Sequence, residues 1–571
     1  MHIVTLTSLR TQTLLLPPRR ARLPENIEAP QSAVVLHSPF SPLSPSSSLY
    51  PDGLIDSRWL RKHQELVPSI LLSFYSLTSD PTQATLRDNR IKSDINALKN
   101  ALAQSGYKTR LAIAVLGEQT HSSVNGVQER LENIRKICGI EAKSFFFVPA
   151  QESQDELERI AENMLTTIYA HATEYYRDLG RHARKKRSRG IAPQPTVPPT
   201  SGTSRSLSLQ DWNVRYDFKS AIFAEYRQEM DAAYRSFEQA YENLLSSEVV
   251  ELIPNWSPRW NEARLLADII AIRSLRCLLW NGQATAAVRR WQLHRDRIWD
   301  LVESRGSGTQ NYGWEAWEAR WATVMANLQE RVKLPDLAPT TLALYAQPEK
   351  AAMGDRLRPW DLLHHPGYWY HIAAAHLARR RSFALAIPED DRRPPGSSPA
   401  SKVASKAFAY DTYMCPEPHE ECPLPGVSGI NHSELIVDSL LKSRSEFQKR
   451  QQLRMASELS LECGREYAAV KDWQSAVLLL EPLWRDMSFR TEGWLDIAGD
   501  LSWSLRTAAS HVSRADLVLA IDWELLNRSR SDSIQAMDRP LTKEQVSRRA
   551  GTGTTISPNR WTALSSSPNQ L

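Results

Sequence analysis

The chain has 571 residues, of which 42% are hydrophobic and 24% charged, enough to bury a substantial core spread over several domains. Its net charge of +5 is small for that length and argues against nucleic acid as the principal partner. Five cysteines at irregular spacing fit a reduced, cytosolic protein better than a disulfide scaffold, and no segment reaches the roughly 18–20 uninterrupted apolar residues of a membrane span. Leu265–Trp280 comes nearest and is interrupted by Asp268, Arg273 and Arg276.

From the N-terminus, Met1–Pro24 carries Arg10, Arg19, Arg20 and Arg22 with no acid before Glu25. That pattern is open to reading as a transit peptide, but a strand at Ile3–Leu6 followed by a disordered tail is preferred. Residues 23–51 are rich in Pro and Ser and read as a linker. An α/β segment follows. Strands are expected at Ile70–Leu77, Arg110–Leu116 and Ser144–Val148. Helices are expected at Leu86–Gln104, ending near Gly106, through Val127–Ile137, closed by Gly139, and at Asp155–Asp178. Alternation of this kind predicts a small parallel sheet with crossover helices. The basic run Arg181–Arg189 then feeds a Pro/Ser-rich linker.

The helical region is organised around Asp211–Ser246. There Met230, Ala233, Tyr234, Phe237, Ala240, Tyr241, Leu244 and Leu245 share one helix face, opposite Glu229, Asp231, Arg235, Glu238 and Glu242. A preceding helix is expected at Asp217–Tyr226. Ser257-Pro258 is an N-terminal signal for a helix ending at Asn281-Gly282. Further helices are expected around Val288–Val302, Trp314–Leu328, Tyr368–Leu377, Ser433–Phe447, Leu453–Val470, Asp472–Asp486, Trp494–Leu505 and Leu517–Leu525. The pair at 453–486 is similar to tetratricopeptide repeats, with Gly464, Tyr467, Asp472, Ala476 and Pro482 in suggestive places, but there is no strict 34-residue period. The expected fold is mostly α: an irregular α-solenoid of TPR-like helix pairs preceded by a small α/β domain.

The expected division is 1–52, a divergent N-terminus and linker; 53–180, the α/β domain; 181–210, a basic and Pro/Ser linker; 211–386, helical; 387–430, a Pro/Ser-rich insertion; 431–526, helical and TPR-like; and 527–571, a disordered tail.

Candidate chemistry is sparse. The turns Thr78-Ser79-Asp80-Pro81, Gly117-Glu118-Gln119-Thr120 and Pro149-Ala150-Gln151 lack a glycine-rich phosphate motif, so a ligand- or nucleotide-binding enzyme domain in residues 70–178 is the alternative rather than the leading reading. Cys415, His419 and Cys422, with His432, have spacing that zinc could use, but two cysteines in a Pro-rich loop read better as incidental thiols. His364, His365, His371 and His376 cluster, yet His371 and His376 are five apart, about 140° around a helix axis, and do not share a face. The stripe Trp314, Trp317, Trp321 reads as core packing in preference to a partner groove. The run Arg181–Arg189 reads as a solvated helix end in preference to a lipid, nucleic-acid or import-receptor site; a nucleic-acid adaptor would show steeply salt-dependent binding. No residue is expected to be catalytic, to bind a cofactor or to hold a metal.

Several dispersed stretches are similar, in order, to one family. They are Leu60–Tyr75, Tyr216–Glu225 followed by Ala233–Tyr241, the run His365-Pro366-Gly367-Tyr368-Trp369-Tyr370, His432–Ile436 and Arg490–Trp494; Ile3–Thr7 looks like the family's first strand. Over about residues 53–526 the chain resembles the foie gras domain family of trafficking protein particle complex (TRAPP) subunit 11. The resemblance implies a non-catalytic scaffold or tethering subunit, without cofactors, acting in vesicle-mediated transport between endoplasmic reticulum and Golgi and in autophagy. It implies other TRAPP subunits as partners, a Rab GTPase reached indirectly through core subunits, and a cytoplasmic location with peripheral association at Golgi and ER-derived membranes. Family members continue into a β-rich C-terminal half not seen here, so the chain is expected to be a shortened product, a fragment or an imperfect gene model.

Overall fold

The computed structural model describes residues 40–45, 47–117, 124–150, 153–195, 206–255, 257–305, 308–332, 364–387, 430–486 and 488–535. They form a mostly α-helical protein with one small parallel sheet, and they fall into two compact units, residues 1–281 and 282–571.

In the first unit, Asp56 caps the short helix α1 (Ser57–Arg61) by accepting from the Arg58 amide, and the chain continues in one wide turn over Lys62–Leu66. Neither is long enough to carry a periodic apolar signal. The strands β1 (Ile70–Leu77), β2 (Arg110–Gly117) and β3 (Phe145–Val148) lie side by side in that order, all parallel, with Ile70 opposite Arg110 and Ile113 opposite Phe145. Each crossover is a helix, α2 (Pro81–Ser105) and α3 (Val124–Cys138). Both steps move the same way across the sheet, so both helices pack on one face. Leu111, Ile113 and Val115 point there and meet Ile91 and Ile95 of α2 and Leu131, Ile134 and Cys138 of α3. Arg130 joins the two helices by a bidentate pair with Asp88 at 2.8 and 2.9 Å. Gly106 and Gly139 end their helices in the left-handed region, as the sequence suggests. The alternate β2 residues, Ala112 and Ala114, are buried on the other side, and α4 (Gln154–Arg187) packs against β1 and β2.

Helix α4 runs nine residues past the expected end at Asp178, so 181–187 of the stretch read as linker is helix. The cause is local: Gly180 stays within the helix, buried, no further Gly or Pro intervenes before Gly190, and the cations of Arg184–Arg187 complement the negative end of the helix dipole. Helix α5 (Leu209–Tyr226) also starts earlier than Asp217, at a capping box in which Ser208 and Asp211 each bond the other's backbone amide. It is buried nearly all round, with Trp212, Val214, Phe218, Ile222 and Phe223 in the core. Such a helix has no single apolar face to read, which hid its first two turns. It packs between α4 and α6 (Met230–Leu244), and α6 packs on α7 (Pro258–Trp280). Helix α6 buries Ala233, Phe237, Ala240, Tyr241 and Leu244 along the expected face. Helix α7 begins at Pro258 with Ser257 as cap and is followed by Gly282 at φ 73°.

Two buried features organise the helices of this unit. Glu225 of α5 accepts from Arg273 of α7 at 2.6 Å and lies 3.2 Å from Arg276, and both Glu225 and Arg273 are buried. Arg215 of α5 reaches the opposite way. Its guanidinium donates to the carbonyl oxygens of Leu54 and Phe40, fixing the incoming segment, while Trp59 packs against Phe218 and Phe223.

The second unit contains α8 (Ala284–Arg305), α9 (Tyr312–Val332), α10 (Pro366–Ala386), α11 (His432–Lys449), α12 (Leu453–Ala469), α13 (Trp473–Asp486), the single turn α14 (Ser488–Thr491), α15 (Leu495–His511) and α16 (Ala515–Gln535). From α9 to α13, each helix packs against the next; α15 packs on α12, α13 and α16. That pattern, with α12 and α15 as successive first helices of a pair, is TPR-like. At Gly464 the two helices α12 and α13 approach closely: a Cβ there would sit 2.5–2.7 Å from three Leu480 side-chain atoms. Helix α16 extends to Gln535, beyond the expected end of the helical region near Leu526; residues 536–571 lie outside the described residues.

Candidate functional site

The sequence-level candidates separate cleanly once placed. At the head of α2, the Asp80 carboxylate already accepts from the Thr82 amide at 2.9 Å and its hydroxyl at 2.7 Å, so a side-chain anion occupies the position a phosphate would take. Arg130 closes over the same turn, donating to the Thr78 carbonyl at 3.1 Å. Residues 118–123, after β2, lie outside the described residues, as do Gln151 after β3 and Cys415, His419 and Cys422. His432, the fourth ligand considered, is buried at the start of α11. Among the described residues no three His, Cys, Asp or Glu side chains converge as metal ligands.

The four histidines serve different contacts. His364 lies tilted against Tyr368 with ring centres 4.1 Å apart, and His365 meets the Phe447 ring edge-on at 4.5 Å. His376 bonds Glu315 of α9 at 2.7 Å, whereas His371 faces Glu462 of α12 at 3.4 Å, the two separate faces that their spacing predicts. Burial pushes His365 down to about 4; the Glu462 carboxylate, against the opposing effect of burial, raises His371. The tryptophan stripe is core: Trp314, Trp317 and Trp321 are all buried, Trp314 stacks on Trp317 at 4.7 Å, and His294 of α8 lies 4.9 Å from Trp321. The thiols of Cys277 and Cys463 are pushed up to about 12 by burial, which makes them poor nucleophiles at neutral pH.

The surface with unusual character is on the last helix pair. Helix α16 buries Leu517 and Ile521 against α15, with Leu525 partly covered. Leu519, Trp523 and Leu526, at steps of four and three, form a second stripe on the far side and are 70%, 72% and 63% exposed. Trp503 of α15 is 57% exposed. Arg506 links the two helices, its guanidinium 5.8 Å from the Trp503 ring centre and paired with Asp522. Single exposed apolar residues are ordinary, but an indole and two leucines in register on one helix, beside a second indole, suit a partner-binding surface. The sequence reading followed only Leu517, Ile521 and Leu525. The other stripe was legible as a second apolar periodicity in the same helix. Among the described residues no helix is long and apolar enough to cross a membrane.

Comparison with known proteins accounts for both ends of the described fold. Residues 5–157 match the model of the trafficking protein particle complex subunit 11 N-terminal domain, and residues 259–528 match that of Foie gras liver health family 1. Among characterised proteins, the chain is 23% identical to trafficking protein particle complex subunit 11 of Bos taurus and of Homo sapiens over 467 residues, 78% of this chain and 36% of each relative. It is 21% identical to the Gallus gallus protein over 519 residues, 86% of this chain and 41% of that relative. The chain thus spans well under half the length of the relatives it matches. The two domain models fall in sequence order, the first on the parallel sheet and the second on the helices from α7 onward, so the chain belongs to the foie gras domain family of trafficking protein particle complex subunit 11.

Proposed function

We propose that this protein is a non-catalytic scaffold or tethering subunit of a TRAPP complex, acting in vesicle-mediated transport between endoplasmic reticulum and Golgi and in autophagy. Its partners are other TRAPP subunits, through which a Rab GTPase is reached indirectly, and its place is the cytoplasm, peripherally at Golgi and ER-derived membranes. The domain division is the one read from the sequence, save that 181–187 belongs to α4, 209–210 to α5 and 527–535 to α16. The observation that carries this reading is the exposed stripe of Leu519, Trp523 and Leu526 beside Trp503, within the region similar to the foie gras family. Tryptophan is enriched among the few residues that supply most of the binding energy at protein interfaces.

The test is affinity purification of the tagged 571-residue chain from its own cells, with mass spectrometry of what co-elutes. Other TRAPP subunits are expected in near-equal amounts, and the double variant Leu519→Ser, Trp523→Ser is expected to lose one or more of them while keeping wild-type secondary structure. Recovery of no TRAPP subunit with the unaltered chain overturns the reading.

A further inference from the structure

The basic run that closes α4 is displayed on one face of a rigid helix. Arg177, Arg181, Arg184 and Lys185 recur at steps of four, three and one, all exposed, over about 12 Å of helix. A different face of α4 makes the contacts to the rest of the unit. Gly180 and Ala183 are buried, Arg187 pairs with Asp217 at 2.5 Å, the Lys186 carbonyl accepts from the Trp212 indole at 3.1 Å, and the Tyr176 carbonyl accepts from Arg227 at 3.3 Å. The carboxylates nearby are engaged. Glu174 pairs with Arg110 at 2.5 Å, Asp178 is shared between Arg181 at 2.9 Å and Arg110 at 3.7 Å, and Glu229 pairs with Arg227 at 2.5 Å. Among the described residues, Arg177, Arg184, Lys185 and Arg189 have no carboxylate within salt-bridge distance. Just past the helix, Ile191 is 73% exposed.

We infer that this face, Arg177, Arg181, Arg184 and Lys185, with the exposed Arg189 and Ile191 just past the end of the helix, is a docking surface for an anionic membrane. The inference rests on the proposed peripheral association with membranes and names the surface responsible. A convex row of long cationic side chains fits a flat layer of lipid phosphates without a groove, and clusters of four or more Lys and Arg are the expected reader of anionic leaflets. An exposed isoleucine beside the cations adds nothing to a nucleic-acid contact, which is made to phosphate and base edges, but it can enter the acyl boundary beneath the headgroups. The near-neutral balance of the whole chain makes the attraction local to this helix.

The experiment is vesicle flotation of the full chain with phosphatidylcholine vesicles, alone or with about 30 mol% phosphatidylserine. Binding is expected only to the anionic vesicles and is expected to weaken as salt is raised. Neutralising Arg184, Lys185 and Arg189 together (Arg184→Ser, Lys185→Ser, Arg189→Ser) is expected to lower the partition coefficient on the order of a hundredfold, about fivefold per cation. Ile191→Ser is expected to lower it severalfold and leave the salt dependence unchanged. Equal binding to neutral vesicles, an unaltered partition coefficient in the triple variant, or capture by an acidic peptide or duplex DNA with no vesicle binding would each overturn the inference. Purification of the same triple variant separates this from the subunit reading: TRAPP subunits are expected to co-elute with it as with the unaltered chain, whichever way the vesicle result falls.

Discussion

Replacing Glu225 by Gln keeps its shape and one acceptor but leaves the Arg273 guanidinium with no compensating charge. The side chains of Arg273 and Glu225 are 8% and 5% exposed, so solvent cannot substitute for the lost partner. Breaking one side of such a buried pair costs about 3–5 kcal/mol. Arg276 reaches the same carboxylate but is half exposed, and Arg276→Gln is expected to cost less than about 1 kcal/mol. The chain has two compact units, so one global unfolding curve would blur the effect. Hydrogen exchange read by mass spectrometry on peptides from α5 and α7 resolves it. Protection there is expected to fall about 10²- to 10⁴-fold in Glu225→Gln, with peptides from α12 and α13 unaffected. The double variant Glu225→Leu, Arg273→Leu is expected to recover most of the loss, because an apolar pair has no desolvation cost to offset. Protection within threefold of the unaltered chain in Glu225→Gln, or a double variant no better than the single one, would refute the argument.

Two further outcomes follow from geometry in the second unit. Gly464→Ala is expected to destabilise the α12–α13 pair by about 1–2 kcal/mol, because the new Cβ meets the fully buried Leu480 and that strain outweighs the gain in helix propensity. Gly126→Ala in α3, where a Cβ meets nothing within 4 Å, is expected to stabilise by up to about 1 kcal/mol, and thermal shifts of opposite sign check the pair. His365 titrates near 6.5 when unfolded and near 4 when folded, so the unfolded chain binds the extra proton between those values. Stability of the α10–α12 region is therefore expected to fall as pH drops through that window, by about 2 kcal/mol at pH 5. His371, raised by Glu462, works the other way: its contribution is present below the unfolded value and lost as pH rises through the folded one. Denaturation followed at pH 7 and pH 5 is expected to show a smaller difference in His365→Asn than in the unaltered chain, and an unchanged difference would refute the assignment.

Elements with a clear period or clear ends were legible. The three strands, α6, and the helix ended by Asn281-Gly282 fall within a residue or two of expectation: one buried face imposes period 3.6 on α6, the strands are short apolar runs bounded by turn residues, and α7 is bracketed by Ser257-Pro258 and Asn281-Gly282. The start of α5 was hidden because a helix enclosed on all sides carries no such contrast. The end of α4 was hidden because a run of cations resembles a linker in composition while favouring a helix C-terminus in fact. The turns between helix pairs left little trace either. Gln228, Gln451, Lys471 and Ser513 take the left-handed conformation usually given to glycine. In each case the next residue's amide closes on a carbonyl five residues back, as Asp472 does on Tyr467 at 2.9 Å. The exposed stripe on α16 was present in the sequence, but burial decides which of two apolar faces is the surface, and periodicity cannot.

The grip of Arg215 on Leu54 and Phe40 spans 161 and 175 residues of chain. During synthesis at about 5–20 residues per second, the segment carrying Leu43, Leu49, Leu54 and Trp59 emerges roughly 10–30 s before the helix that buries it. Through that interval Trp59 lacks Phe218 and Phe223 to pack on, so the segment is a target for chaperones that hold nascent apolar stretches. A chain interrupted before Arg215 would leave that segment without the guanidinium that fixes it.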